Sequence, residues 1–204
     1  MSKTTSDVIT LISQIAPRAT DIPTSTFLGI LNNILVPDLE EDMVSAYPDD
    51  LKGFQDITVS TPYYTDLPAD YGYPIRVEDE DGNVVPVAKK QDEISANEDY
   101  VWFDNSTDPP RAYLSDENNW GSDLLLTYRK KITEMGDGDT LTFPEALHGK
   151  LLPILAFGAA YYYLAMKPGS GDNDMVAKLQ EMYQTSRANL FSGGGVRGGS
   201  NGKL

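Results

Sequence analysis

The chain has 204 residues, of which 40% are hydrophobic and 10% aromatic, which is enough for one core or two small cores and too bulky for a disordered chain. Because it contains no cysteine, it can hold neither a disulfide nor a thiolate metal cluster, and we expect it to fold in a reducing cytoplasm. The net charge of −15 lies between residues 36 and 108, which hold 19 acidic and 4 basic side chains. Such a surface disfavours binding to nucleic-acid phosphates.

The first predicted element is a short N-terminal helix. Apolar residues recur at helical spacing from Val8 to Ile15, with Ser6 as a capping candidate and Pro17 as the stop. The preceding residues lack the basic start and the apolar run of a signal peptide. We therefore expect a chain that is not processed at this end.

A second helix is predicted to begin after Thr24 or Ser25 and to end at Pro37. The following segment, residues 38–53, is acidic and is broken by proline and glycine. It is predicted to be a connection or a short lid, in which a local helix is possible over residues 39–46.

The next region alternates apolar and polar residues from Ile57 to about Ile132, which is typical of strands. Within it, the sequence Glu80-Asp81-Gly82-Asn83 predicts a hairpin with a tight two-residue turn. Further strands are predicted over residues 100–103, 111–114 and 123–128. Together these strands would form an antiparallel meander of about five or six strands.

The last third is predicted to form a helical hairpin. Pro144 is expected as the first residue of a helix that runs to Met166 with a kink at Pro153, and Asp172 as the cap of the next helix. The uncharged run from Leu151 to Met166 is shorter than the roughly 20 residues of a spanning helix, so we expect it to be buried. Since it is apolar nearly all round, the N-terminal helices or a neighbouring subunit must cover it.

These elements predict an α+β fold: helices from both termini packed as a bundle, a central antiparallel β-meander, and a flexible Gly-rich C-terminal tail. The expected divisions are residues 1–53 for the N-terminal helices and acidic connection, 54–133 for the β region, 134–191 for the helical hairpin and 192–204 for the tail. The tail has six glycines, two positive charges and no acid. It is either a mobile end or linker, or an arm that docks on a partner.

The search for catalytic chemistry is mostly negative. The single histidine, His148, cannot build a triad or a multi-histidine metal site alone, and a packed or interfacial ring is the commoner fate of such a residue. Asp79, Asp81 and Asn83 resemble a calcium loop only in part, because the glycine falls at the fourth position instead of the sixth. No phosphate-binding glycine loop precedes a helix. We expect neither enzymatic activity nor a cofactor or metal.

The order of segments resembles the head-to-tail adaptor (connector) family of tailed bacteriophages. The resemblance spans most of the chain, with helices at both ends of a small sheet. The segments that carry it are Leu67-Pro68-Ala69-Asp70-Tyr71, residues 73–77 and 82–87, Arg111-Ala112-Tyr113-Leu114, residues 124–131, Asp139-Thr140-Leu141-Thr142-Phe143-Pro144 and residues 155–160.

The resemblance implies a homo-oligomeric ring, commonly a dodecamer, in the virion at the head-tail junction. Its subunits would bind the portal protein, close the junction after DNA packaging, dock tail proteins and line the channel through which DNA leaves. The acidic middle would then repel passing DNA, which is not bound by sequence, and no membrane is involved. We nominate Val196, Arg197, Lys203 and Leu204 for portal contact, and Phe157, Tyr161, Tyr162 and Tyr163 for subunit packing.

The alternative is a β-domain binding module, such as a carbohydrate-binding or fibre-like attachment domain. Its ligand-binding aromatic residues would be Trp102, Trp120, Tyr63, Tyr64, Tyr71 or Tyr73, and their exposure would favour it. Aromatic residues are also enriched in strands, where they pack within the sheet. Exposure of the two tryptophans therefore separates the two hypotheses.

Overall fold

The computed structural model describes residues 2–58, 64–88, 100–115, 123–167 and 173–192. The chain divides into two compact units. The helical unit comprises Met1–Asp50 and Ile132–Leu204, and the β unit comprises Leu51–Lys131. The predicted α+β class is confirmed.

The helical unit begins with α1 (Thr5–Ile15), followed by a 3-10 turn (Pro17–Ala19). The cap of α1 is Thr4 and not Ser6. Thr4 accepts a hydrogen bond from the Asp7 backbone N–H at 3.2 Å, while the Asp7 carboxylate accepts one from the Thr4 N–H at 2.9 Å. This reciprocal capping box satisfies two backbone donors at once, which a cap at Ser6 would not do.

The prediction that the second helix ends at Pro37 is wrong. Helix α2 (Thr24–Ile30) passes into a π-helical turn (Leu31–Leu35) and then into α3 (Val36–Ala46). Because the wider π turn comes first, Pro37 falls in the first turn of α3, where its missing N–H is tolerated. The local helix predicted over residues 39–46 is confirmed as part of α3.

The C-terminal part of the helical unit contains a 3-10 turn (Glu145–Leu147), α4 (His148–Met166) and α5 (Asn173–Ser192). Pro144 precedes the 3-10 turn instead of opening the helix. Helix α4 continues through Pro153 and packs against α5, α1 and α2. The predicted cap Asp172 lies outside the described residues.

Hydrogen bonds to backbone groups join the segment after Ile132 to the N-terminal part of the helical unit. The Asn32 side chain donates to the Met135 carbonyl at 2.9 Å and accepts from the Met135 N–H at 3.0 Å. The Thr5 N–H donates to the Asp139 carbonyl at 2.9 Å, and the Leu141 N–H to the Lys3 carbonyl at 2.8 Å. Both ends of the chain therefore contribute to one helical unit.

The single meander predicted for the β unit is wrong, because the described strands form two sheets. The first sheet has the order β1-β7-β3 and is antiparallel; the second has the order β2-β6-β5-β4, with β4 parallel to β5. Buried side chains from both sheets form one core. The strands are β1 (Lys52–Ile57), β2 (Tyr64–Asp66), β3 (Tyr71–Glu78), β4 (Val87–Ala88), β5 (Val101–Asp104), β6 (Arg111–Leu114) and β7 (Leu124–Lys130).

The first strand begins earlier than the sequence predicts. Gly53, interpreted as the end of the acidic connection, lies within β1 opposite Tyr128 of β7. A Cβ atom at position 53 would lie 2.3 Å from the Tyr128 ring. Glycine is needed here because the ring crosses the neighbouring strand, and the residue breaks no secondary structure.

The predicted hairpin after β3 is present, but its loop has three residues and not two. The Asp79 N–H donates to the Asn83 carbonyl and the Gly82 N–H donates to the Asp79 carbonyl, both at 3.0 Å. Gly82 has a φ of 81°, as required at the end of such a loop. The return arm pairs only briefly, through a bridge from Glu78 to Val84.

Candidate interaction surfaces

The four residues nominated for subunit packing lie on different sides of α4. Phe157 and Tyr161 are one turn apart on a half-buried stripe. Tyr162 points toward α5, with its ring 6.4 Å from that of Tyr183. Tyr163 donates to Asp21 at 3.2 Å. The Tyr161 and Tyr162 rings contact each other, with centroids 4.8 Å apart, but the structure does not bring all four residues together, and Tyr161, Tyr162 and Tyr163 have partners within the chain.

His148 is buried at the start of α4, where it joins two backbone segments. Its Nδ1 atom accepts from the Lys3 N–H at 3.1 Å, and its Nε2 atom lies 2.7 Å from the Phe143 carbonyl oxygen. With Nδ1 accepting, Nε2 carries the proton and donates it. Both ring nitrogens are thus used in holding the helical unit together.

The end of α5 is fastened to α3 by ionic and aromatic contacts. Arg187 donates from Nε to the Asp42 carboxylate and contacts Asp38 through Nη1 at 3.3 Å. The Asp42 hydrogen bond is the main cause that raises the pKa of Arg187, against the opposing effect of burial. Tyr47 donates to the Leu190 carbonyl at 2.8 Å. Helix α5 is therefore held in place up to its last turn.

A shallow groove of about 380 Å³ lies beside this contact. It is lined by Asp42, Gln184, Arg187, Ala188, Phe191 and Ser192. The four residues nominated for portal contact, Val196, Arg197, Lys203 and Leu204, lie outside the described residues, as do residues 193–204 of the predicted tail. Its first residue, Ser192, belongs to α5.

The outward side of the second sheet carries a row of stacked aromatic rings. The Trp102 and Tyr113 ring centroids are 4.2 Å apart at an interplanar angle of 9°, and Tyr64 lies 5.7 Å from Tyr113. The Arg111 guanidinium covers the Tyr64 ring at 4.5 Å and pairs with Asp66 at 2.8 Å. Each of the three rings therefore has at least one face in contact with a neighbouring ring or with the guanidinium.

The other aromatic residues of the alternative hypothesis are distributed differently. Tyr71 is buried in the β core against Phe103 and Tyr128. Tyr73 is exposed on the first sheet. Trp120 and Tyr63 lie outside the described residues. The six nominated aromatic side chains therefore do not form one surface within the described part of the chain.

The first sheet presents a large apolar surface, which the sequence analysis missed. We define the outer face as the side of β1, β7 and β3 that points away from the β core. Register places Leu125 opposite both Asp56 and Glu78, and the bridge from Glu78 extends this row to Val84. Its exposed apolar side chains are Phe54 (65%), Tyr73 (51%), Ile75 (45%), Val84 (62%) and Leu125 (38%).

A sequence signal for this surface existed in the unbroken run Leu124-Leu125-Leu126. Alternation predicts one apolar side, whereas three consecutive leucines make both sides of β7 apolar. Leu124 and Leu126 are buried in the β core, and Leu125 between them is exposed. The run therefore marks a strand with apolar residues on both faces.

Charges of both signs lie among the apolar side chains of the outer face. Lys52, Arg76 and Arg129 are positive and Asp56 and Glu78 are negative, which gives 3 − 2 = +1 in a chain of net charge −15. Arg76 pairs with Glu78 at 2.8 Å. The Nε and Nη1 atoms of Arg129 are shielded beside the Tyr73 ring and have no hydrogen-bond partner among the described residues.

The Asp79 carboxylate accepts hydrogen bonds from within the hairpin loop. The Asp79 carboxylate accepts from the N–H groups of Asp81 and Asn83 and from the Asn83 side chain, at 2.7 to 3.0 Å. The Asn83 side-chain hydrogen bond is the main cause that lowers the pKa of Asp79. No group of three or more His, Cys, Asp or Glu side chains placed to hold a metal occurs among the described residues.

Helix α4 and the other helices of the described ranges are not long and apolar enough to cross a membrane. Neither the family models nor the curated proteins compared with this chain gave a match.

Proposed function

We propose that this chain is the subunit of a head-to-tail adaptor ring in a tailed bacteriophage. In this role it binds the portal protein, closes the junction after DNA packaging, docks tail proteins and lines the DNA exit channel. The role is structural and requires no catalysis. Its site of action is the virion, at the junction between head and tail.

One observation carries the proposal: both ends of the chain form the helical unit, and the β unit is an insertion between them. This is the order of parts that the adaptor resemblance implies. The two hydrogen bonds between Asn32 and Met135 join the parts of the helical unit that flank the insertion in sequence. The order is thus supported by specific contacts as well as by sequence.

The segments that carry the resemblance occupy defined places in the fold. Residues 73–77 lie in β3, and residues 82–87 comprise the end of its hairpin loop and the return arm. Residues 124–131 include β7. Residues 139–144 belong to the segment after the β unit that is hydrogen-bonded to the N-terminal residues. Residues 155–160 lie within α4. Framework elements of both units therefore account for the similarity.

The acidic middle of the chain supports a channel-lining role for part of the surface. Its acids are divided between the units, because residues 36–50 belong to the helical unit and residues 51–108 to the β unit. Fixed negative charge repels DNA phosphates and would reduce sticking during ejection. A ring reconstruction with residues 36–108 wholly on the outer wall contradicts this part of the proposal.

The aromatic row of the second sheet does not favour the binding-module alternative. A sugar-binding platform needs an open ring face, whereas Trp102 and Tyr113 stack on each other and Arg111 covers Tyr64. We expect sugars to leave tryptophan fluorescence and its quenching by iodide unchanged. Protection of the tryptophans by a sugar would instead support the binding module.

The decisive experiment is light scattering of the full chain, alone and mixed with the portal protein of the same phage. A chain truncated after Phe191 and the point variant Arg197→Ala test the nominated docking arm. We expect a portal-bound ring with the full chain, weaker binding with Arg197→Ala and none with the truncation.

The variant Asn173→Ala is a suitable control, since it changes an exposed residue at the opposite end of α5. It is expected to bind the portal like the unmodified chain. Absence of association for every form would reject the adaptor role, and equal association with and without the tail would reject only the docking arm.

A further inference from the structure

We propose that the outer face of the first sheet packs against the acidic surface of α3 on a second copy of this chain. The inference rests on the proposed ring and names the surfaces that join its subunits. Each copy would offer its outer face to one neighbour and its α3 surface to the other. The contact is separate from the nominated contact of the tail with the portal.

The first step is the concentration of exposed apolar area. Eight large hydrophobic side chains in the described residues are exposed, and five of them lie on the outer face. Phe54 and Tyr73 are more than half exposed, although each is large enough to stabilise an interface by its burial. Exposed large apolar side chains with charges among them are typical of a protein-protein contact.

The second step is charge. The outer face has a charge of +1 in a chain of −15, so the remaining surface is strongly acidic. Helix α3 and the turn after it include Glu41 and Asp50, which are both exposed. A second copy therefore supplies an acidic surface that complements the outer face.

The third step is Arg129, which lies on the central strand β7 of the first sheet. It lies opposite Lys52 on one side and Tyr73 on the other. Its Nε and Nη1 atoms have no hydrogen-bond partner within the described chain. A carboxylate from a neighbouring copy would provide the acceptors that this guanidinium lacks once the Tyr73 ring moves aside.

The fourth step is symmetry. A contact between two different surfaces of the same chain is heterologous, and repeated contacts of this kind close into a ring when the rotation allows. A pairing of the outer face with itself would give a closed dimer instead. Both faces would then have a net charge of +1, so that arrangement lacks the charge complementarity that the acidic surface of α3 offers.

The test compares the double variant Phe54→Thr/Leu125→Thr with the control Val87→Thr. Threonine suits an exposed strand, and Val87 is a similarly exposed residue in β4 of the second sheet. We expect the double variant to weaken ring formation on the portal at least about tenfold in subunit concentration, and the control to have no effect. Subunit copies per portal are counted by native mass spectrometry.

A charge exchange tests the partner surface. Lys52→Glu/Arg76→Glu in one chain should prevent assembly, and Glu41→Lys/Asp50→Lys in the same chain should restore it. Restoration is not expected if the first pair merely damages the β unit. Fluorescence of the two tryptophans verifies that the β unit is folded in each variant, because both lie in that unit, and circular dichroism at the helix band verifies the helical unit.

The outcomes separate this inference from the adaptor role. Rings that form equally with folded Phe54→Thr/Leu125→Thr overturn the sheet contact and leave the adaptor role standing. Stable dimers in place of rings overturn the heterologous pairing. If the chain associates neither with the portal nor with itself, the adaptor role is rejected, and the sheet contact that rests on it is rejected as well.

Discussion

Helix α4 and the outer face of the first sheet are both rich in apolar residues, yet they differ in what covers them. Leu151, Leu155 and Leu164 of α4 are buried by helices of the same chain. On the outer face, Phe54 and Leu125 remain exposed. The more apolar segment is thus the covered one, and the strands of the first sheet, which have polar residues among the apolar ones, carry the open surface.

The comparison shows that hydrophobicity along a segment does not reveal where a partner binds. What matters is whether the chain supplies its own cover, which depends on contacts far apart in sequence. Helix α4 obtains that cover from α1, α2 and α5. The sheet uses one face for the β core, and none of the described strands lies over the other face.

The largest expected effect is in the covered helix. Leu155→Ala should lower the free energy of unfolding by about 3 kcal/mol, because it removes a fully buried side chain and leaves a cavity. Urea unfolding followed by circular dichroism at the helix band measures it. A loss below about 1 kcal/mol would mean that α4 is not closely covered, and the comparison would fail.

A second test uses two glycines of α4 that have opposite surroundings. A Cβ atom at Gly158 would lie 2.7 Å from Leu35 Cδ2 and 3.0 Å from the Tyr183 ring, whereas a Cβ atom at Gly149 would meet nothing within 4 Å. Gly158→Ala should destabilise the helical unit by about 1 to 2 kcal/mol through overpacking.

The matched variant Gly149→Ala should stabilise the helical unit by up to about 1 kcal/mol, since alanine favours helix and has room. Both are measured by urea unfolding under the same conditions. Equal effects of the two substitutions would show that the close approach of α4 to Leu35 and Tyr183 is not maintained in solution.

Much of the helical unit was predictable from local patterns. The spacing of apolar residues that predicted α1, α4 and α5 joins positions three or four residues apart, which can be read directly from the sequence. The course of the chain through Pro37 was not predictable, because it depends on a π-helical turn whose Leu31 and Leu35 are buried in the helical unit. Local rules for proline do not include that packing.

The candidate surfaces were harder to predict than the elements. Phe157 and Tyr162 both appear apolar in the sequence, but only the fold shows that Tyr162 faces Tyr183 while Phe157 stays half-buried. The outer face requires the pairing of β1 with β7 and of β7 with β3, which joins residues about 50 to 75 positions apart. The run Leu124-Leu125-Leu126 is a local signal that both faces of β7 are apolar, but it does not identify the strands that pair with β7.

The inner side of the first sheet provides a smaller test. Tyr71 has a buried hydroxyl without a hydrogen-bond partner in the described chain, whereas the Tyr128 hydroxyl donates to Asp70 at 3.0 Å. Tyr71→Phe should leave the free energy of unfolding unchanged or raise it by up to about 1 kcal/mol, while Tyr128→Phe should lower it by about 1 kcal/mol. Tryptophan fluorescence during urea unfolding follows the β unit.

The same pair predicts a pH dependence. Burial raises the pKa of Tyr71 above its usual range, and burial together with the Asp70 hydrogen bond raises the pKa of Tyr128 to about 12. The unfolded chain releases these protons near pH 10, about the ordinary tyrosine value. Stability of the β unit should therefore be unaffected by these groups below pH 10 and fall as the pH rises from 10 to 12.

In Tyr71→Phe the loss of stability between pH 10 and pH 12 should be smaller, because the variant lacks one of the two hydroxyl groups whose protons the folded state retains. The comparison is between unfolding free energies at pH 9 and pH 11 for each protein. An identical loss in the variant and the unmodified chain would place the Tyr71 hydroxyl in contact with water.

The smallest expected effect is Phe54→Thr on the stability of the isolated chain. Phe54 is 65% exposed, so its removal gives up little burial, and threonine retains the strand preference. The free energy of unfolding should change by less than about 0.5 kcal/mol, in contrast to about 3 kcal/mol for Leu155→Ala. Urea unfolding at a concentration where the chain is monomeric gives this value.

A loss above about 1.5 kcal/mol would mean that the chain covers Phe54 itself, and the outer face would then be unavailable to a second copy. A negligible loss, combined with impaired ring formation by Phe54→Thr/Leu125→Thr, would locate the contribution of this surface in assembly and not in folding.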